Sequence, residues 1–329
     1  MSRRVRRLPD QVPCYAGPVA EIAQPDLRKW KLILAYDGTE FQGWQVQPGE
    51  STIQGELQAA LGRVTGEKPL PQGSGRTDAG VHALAQVASF DLRAPIPAEN
   101  LHRALNRTLP ASIRISEART VRSSFHARHS AIAKTYEYRI FRGPICPPFL
   151  SRYVYACPWT LDLGALEACA RLFEGEHDFE SFAATERRGR SDPLDETVLE
   201  AEAAASALPT APAVLESAAK AASVKTIFSS SWELQPNEAG EILVHRVRGN
   251  GFLHHMVRNL VGTMIDVGRG SLDVKEIPGI LAARSRSAAG PTAPARGLFL
   301  HSVEYDEREL LPEGEEDKST GDLVDPADG

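Results

Sequence analysis

Three glycines, Gly73, Gly75 and Gly80, bracket a single carboxylate, Asp78, in the run Gly73-Ser74-Gly75-Arg76-Thr77-Asp78-Ala79-Gly80-Val81-His82-Ala83. Glycine tolerates positive φ and lets another backbone or a ligand come close, so this run bends sharply. It leads into residues 86–90, Gln-Val-Ala-Ser-Phe, a short β-like segment, so the bend closes onto a strand. An Asp in such a bend ordinarily caps its own backbone as a turn former. Beside the Arg76 guanidinium the carboxylate would also stay ionised, and an ionised, positioned Asp can act as a nucleophile or a base. A phosphate cradle fits less well. Asp78 stands where the third glycine of G-x-G-x-x-G would be, and no Gly-Lys-Ser/Thr follows.

The rest of the chain frames that bend. Its 329 residues, 42% hydrophobic and 24% charged, are ordinary for a soluble globular protein with a substantial core, in one unit or two. No apolar run approaches the roughly 20 residues that span a bilayer, so no membrane partner is expected. The Arg-rich start lacks an apolar core or cleavage pattern, and Pro9, Asp10 and Pro13 interrupt any amphipathic transit helix. Cys14, Cys146, Cys157 and Cys169 show no C-x-x-C spacing, which argues against zinc and disulfide frameworks and suits a reducing cytoplasm. Of His82, His126, His254 and His255, the adjacent pair should point to different helix faces, and no carboxylate or Cys completes a ligand set. No metal is expected.

The net charge of −6 conceals its distribution. From His301 to Gly329 acidic residues far outnumber Arg308 and Lys318, so the remainder of the chain is net basic. Within 101–155, Arg103, Arg107, Arg114, Arg119, Arg122, Arg128, Lys134, Arg139, Arg142 and Arg152 face only Glu117 and Glu137. Such a stretch is the footprint of a polyanion partner, or else a solvated surface.

Periodicity predicts an α+β organisation. Residues 31–36 read as a strand with a turn at Asp37-Gly38. Ser51 and Gln54 predict a capping box for a helix with Ile53, Leu57, Leu61 and Val64 on one face. Leu101, Ala104 and Leu105 predict a helix that stops before Pro110. Residues 135–141 alternate, with Tyr136, Tyr138 and Ile140 on one face. Asp162 predicts the cap of a helix carrying Leu163, Leu166, Cys169, Ala170 and Phe173 and ended by Gly175. A strand over 242–248, a turn at Asn250-Gly251, a helix over about 252–267 and a capping box at Asp273 and Glu276 follow. The expected divisions are a basic extension (1–28), a half carrying Asp78 (29–125), and a second half (126–310). That second half holds an Ala-rich surface insertion (187–224), and an acidic disordered tail (311–329) follows it.

Four ordered blocks resemble the tRNA pseudouridine synthase A family: Tyr36-Asp37-Gly38-Thr39-Glu40-Phe41-Gln42-Gly43-Trp44-Gln45, the run from Gly75 to Ala83, Phe125-His126-Ala127-Arg128 with Lys134-Thr135-Tyr136-Glu137-Tyr138, and Phe252-Leu253-His254-His255-Met256-Val257-Arg258-Asn259. The resemblance implies two RRM-like α/β halves sharing a central antiparallel sheet, with the active site in the cleft between them. Nothing here matches the RNP1 signature of ordinary RRMs. It further implies isomerisation of uridine to pseudouridine in the anticodon stem-loop of tRNA, at tRNA positions 38, 39 and 40, by a homodimer that needs no cofactor. In the family the Asp of the Arg-Thr-Asp triplet is catalytic, which makes Asp78 the candidate. Tyr136 corresponds to the active-site tyrosine and would stack on uracil; read without the family, it is a core strand aromatic. Arg258 would pair with Asp78 across the cleft, and Arg76 would contact RNA or fill the space of an extruded base. A catalytically silent tRNA-binding or chaperone protein on the same scaffold is the alternative.

Overall fold

The computed structural model describes residues 26–184 and 223–311. The expected extension (1–28), insertion (187–224) and tail (311–329) lie outside the described residues except at their edges. In chain order the elements are β1 (Arg28–Tyr36), α1 (Ile53–Thr65), β2 (Gln72–Gly73), β3 (His82–Leu92), α2 (Ala98–Thr108), β4 (Ile113–Val121), β5 (Ala131–Arg142) and β6 (Tyr155–Ala156). They continue with α3 (Leu163–Arg171), β7 (Gly175–Asp178), β8 (Val224–Asn237), β9 (Gly240–Gly249), α4 (Met256–Gly268), α5 (Ile277–Ala283) and β10 (Leu298–Tyr305).

All the strands of the described residues belong to one 10-stranded sheet, ordered β4-β1-β3-β10-β5-β9-β8-β7, with β2 beside β3 and β6 beside β5. Pairing is antiparallel along this order except at the centre, where β10 runs parallel to β3 through Phe299↔His82 and Leu300↔Ala83. The same β10 pairs antiparallel with β5, from Leu298↔Tyr138 to Tyr305↔Ala131. The expected antiparallel sheet is thus mixed at its seam. Strand direction follows from where the chain's last strand is slotted, and no residue period reports it.

Helices cover the sheet and close the core. Trp30, Leu32 and Leu34 of β1 are buried with Ile53, Leu57 and Leu61 of α1 and Leu101 and Leu105 of α2 in one continuous cluster. Leu166 and Cys169 of α3 and Leu260, Val261 and Met264 of α4 extend it under the second half. Each fully buried aliphatic side chain contributes about 1.5–3 kcal/mol, so this cluster outweighs any single polar contact. No helix among the described residues is long and apolar enough to cross a membrane.

Element ends depart from expectation for local reasons. Thr52, not Ser51, caps α1 by accepting from the Gly55 N–H at 3.3 Å. Gln54 is not a capping-box partner: it accepts from Val46 N–H at 2.9 Å and donates to the Pro71 carbonyl at 2.8 Å, tying two loops. Asp162 does cap α3, but that helix stops at Arg171, before Gly175. Asp273 and Glu276 form their capping box around a short 3-10 turn ahead of α5. Sequence periodicity gives no strand at β4, β8 or β10.

Candidate active site

The bend that carries Asp78 is held from both sides. Gly38, Gly43 and Gly73 sit where a side chain could not. A Cβ would lie 1.9 Å from the Val81 carbonyl oxygen at Gly38, 2.5 Å from the Thr77 carbonyl oxygen at Gly43, and 2.6 Å from the Trp44 indole at Gly73. Residues 38–44 therefore lie directly on the bend, backbone to backbone. Trp44 N–H donates to the Thr77 carbonyl at 3.0 Å and Gly80 N–H to Phe41 at 3.3 Å. Tyr36 and Thr77 share a 2.8 Å hydroxyl bond, and Gln86 donates to the Gly75 carbonyl at 2.9 Å. His82 is buried at the base of the bend, where it accepts from Gly38 N–H and donates to the Arg152 carbonyl. Burial pushes its imidazole down, so it stays neutral and serves structure.

Across the seam, α4 aims Arg258 at this bend. Its Nε donates to the Ala293 carbonyl at 2.8 Å, which fixes the guanidinium plane and leaves Nη1 to donate to Asp78 Oδ2 at 2.8 Å. Ala293 in turn donates its N–H to the Arg258 carbonyl at 3.0 Å. That clamp depends on Gly262, where a Cβ would meet the Pro291 carbonyl oxygen at 1.6 Å. Arg286 and Thr292 both donate to Asn259 Oδ1, at 3.0 and 2.6 Å, and hold the same loop on the helix.

The histidine pair departs from expectation. His255 has φ 60 and ψ 0, left-handed backbone immediately before α4, which begins at Met256 and not near Phe252. Outside the helix, the two rings do not diverge. They lie against each other, tilted by 45° with centroids 4.1 Å apart, and Nε2 of His254 and His255 lie 3.4 Å from Asp78 Oδ1 and Oδ2 respectively. The three ligand atoms fall within 4.8 Å of one another, so a carboxylate does join the histidines. Arg258 occupies Oδ2 at 2.8 Å, and a fixed cation there opposes a metal ion at the same oxygen.

Burial by itself would raise the Asp78 carboxyl. The His254 hydrogen bond, the His255 ring and the Arg258 hydrogen bond and charge more than offset it, holding Asp78 below the ordinary carboxylate range. Burial also pushes His255 down, so at neutral pH it faces Asp78 uncharged. The permanent positive charge beside the carboxylate is that of Arg258. Oδ2 is thus engaged, while Oδ1 has only the longer contact to His254.

Tyr136, on β5, is 8% exposed, its ring edge-on to Phe252 at 5.0 Å. Burial, with Tyr36 and Asp78 nearby, keeps its hydroxyl protonated. Tyr138 is wholly buried and donates to the Pro294 carbonyl at 2.8 Å. Arg76 is exposed, and the groups that steady Asp78 are Arg258 and the histidines. Lys134, absent from the expected site, donates to the Ser74 carbonyl. Its amine and the Tyr136 hydroxyl border the same glycine, 3.6 and 3.7 Å from where a Gly75 Cβ would be. The signal that could have flagged it is a lysine two residues before Tyr136, on the same face of an alternating strand.

An ionised carboxylate with one oxygen held by Arg258 and the other only by the longer His254 contact, beside a buried aromatic ring, suits attack on, or proton removal from, a sugar next to a planar base. A family model described as tRNA pseudouridine synthase matches residues 32–130 and 215–306. The chain is 49% identical over 280 residues to tRNA pseudouridine synthase A of Solibacter usitatus, covering 85% of this chain and 100% of that protein. It is 43% identical over 277 residues to the enzyme of that name from Moorella thermoacetica, covering 84% and 98%. With that of Brevibacillus brevis it shares 40% over 279 residues, covering 85% and 100%. Matched over more than half its length by the family model and over nearly all of each relative, this chain belongs to the tRNA pseudouridine synthase family.

Proposed function

We propose that the protein isomerises uridine to pseudouridine in the anticodon stem-loop of tRNA, with Asp78 as the carboxylate acting at the sugar–base linkage. The observation that carries this reading is Asp78 kept ionised by His254 and by Arg258 from the opposite side of the sheet seam, with Oδ1 held only by the longer His254 contact. In the isomerisation the bond from N1 to C1′ breaks and a bond from C5 to C1′ forms. A proton leaves C5 and one is returned to N1, so nothing is oxidised and no group is lost. Asp78 serves this either by attacking C1′ or by removing a sugar proton. Tyr136 supplies a face for the uracil, a stacking contact worth about 1–3 kcal/mol. Arg76, exposed on the same bend, would meet the RNA around an extruded base.

A homodimer holding one tRNA belongs to this reading, as the family resemblance implies. So does a cytoplasmic location, which the free thiols of Cys146, Cys157 and Cys169 suit. Incubating unmodified tRNA with purified protein and mapping pseudouridine by position tests the reaction. Asp78→Ala should abolish product while tRNA affinity stays within a few-fold. Product at the wild-type rate from that variant would remove Asp78 from the chemistry.

A further inference from the structure

Beside the Asp78 bend lies a group of cations that, among the described residues, pairs with no carboxylate. Lys134 projects from β5 to the Ser74 carbonyl. Lys225, at the start of β8, is half-buried, with its Cδ 3.7 Å from where a Gly251 Cβ would be. Arg128 stands exposed on the loop before β5. Register brings the strands together: Lys134 pairs with Gly249, and Gly249 with Ile227, two residues along from Lys225. Among the described residues, neither lysine nor the Arg128 guanidinium forms an ion pair with a carboxylate. This contrasts with Arg119, Arg139, Arg142 and Arg152 of the same basic stretch, which pair with Glu117, Glu137, Glu241 and Glu40.

The cost of the arrangement is visible in the side chains. Burial, then the Arg128 and Lys225 charges, pushes the Lys134 amine down to about 8. Burial and the Arg128 charge lower Lys225 as well. Repelling, partly desolvated cations destabilise a fold unless an anion offsets them. Lys134 touches the bend at Ser74 and borders Gly75, and three residues of chain reach at most about 10 Å to Asp78. That is the scale of a single nucleotide.

We propose that Arg128, Lys134 and Lys225 form a phosphate cradle for the RNA strand, holding the phosphodiester next to the uridine presented to Asp78. The proposal rests on the tRNA reading above and adds to it a named backbone subsite. Before RNA arrives the three charges repel one another; the phosphate relieves that repulsion, so the cradle favours a strand in register with the bend.

The test is a binding measurement on anticodon stem-loop RNAs, each with one phosphate flanking the target uridine replaced by a neutral methylphosphonate. One such position should weaken wild-type binding by about tenfold, as expected for loss of a charge-assisted contact. The same position should cost clearly less in Arg128→Gln or Lys225→Gln, because part of the contact is already lost. Each variant, on unmodified RNA, should also flatten the dependence of log affinity on log salt by about 1. Arg128 is exposed, so its variant reports even if Lys225→Gln unfolds. Full additivity at every position, with the salt slope unchanged, would overturn the cradle alone. Turnover by Asp78→Ala would overturn the catalytic assignment alone, and wild-type protein with no affinity for the RNA would overturn both.

Discussion

At the scale of single residues, the candidate site gathers charge that is placed out of water. Asp78 is ionised because a rigid guanidinium reaches it, and the guanidinium is rigid because its Nε is committed to Ala293. Tyr136 is a buried ring whose hydroxyl borders Gly75 and whose edge meets Phe252. If its role is to stack on uracil, Tyr136→Phe should keep most of the activity. Tyr136→Leu, which removes the ring, should lose about 1–3 kcal/mol of transition-state stabilisation, read as kcat/KM on unmodified tRNA. Equal losses would assign the work to the hydroxyl. The contact between Arg258 and Asp78 was legible beforehand, because both stand in strings that resemble one family. The His254–His255 contact was not. It depends on left-handed backbone at His255, a conformation no β-branching, charge or period announces.

At the scale of elements, the site is a matter of close backbone approach. Residues 38–44 seat against the Asp78 bend only because Gly38 and Gly43 lack side chains, and the loop at 290–294 seats against α4 only because Gly262 does. Gly262→Ala would press a methyl into the Pro291 carbonyl, shift Ala293 and loosen Arg258. Overpacking of this kind costs about 1–3 kcal/mol, so the melting temperature should fall and turnover should fall with it at temperatures where the protein is still folded. Asp162→Ala offers the contrast. It removes the α3 cap at Ala165 N–H, costs about 1 kcal/mol, and should leave turnover of the folded protein as it was. Helix existence was readable from caps and apolar spacing. The ends were less so: at α1 the structure uses Thr52 and spends Gln54 on Val46 and Pro71, a choice made by loops far along the chain.

At the scale of the whole molecule, β10 decides the architecture. By pairing with β3 on one side and β5 on the other, it joins the Asp78 bend to the strand of Tyr136 and Lys134. The basic stretch at 101–155 is then divided between uses: some of its arginines are neutralised by carboxylates, while among the described residues Arg128 and Lys134 have none beside the site. If the active unit is a homodimer, light scattering on the purified full chain should give twice the 35.8 kDa of one chain at concentrations where it modifies tRNA. A fully active species of single-chain mass would remove the second copy from the account.

The sequence by itself determined the chemistry available: one carboxylate in a glycine-bracketed bend, a ring on an alternating strand, an arginine on an apolar helix, and capped helices between strands. These are local properties, set by backbone freedom and by which face of an element is apolar. Tertiary structure alone decided which groups meet, because contacts such as that between Arg258 and Asp78, separated by 180 positions, exist only once β10 fills the seam and α4 lies over it. Electrostatic coupling falls with distance and rises with burial, so neither the charge state of Asp78 nor the repulsion around Lys134 has a value until the chain has closed around them.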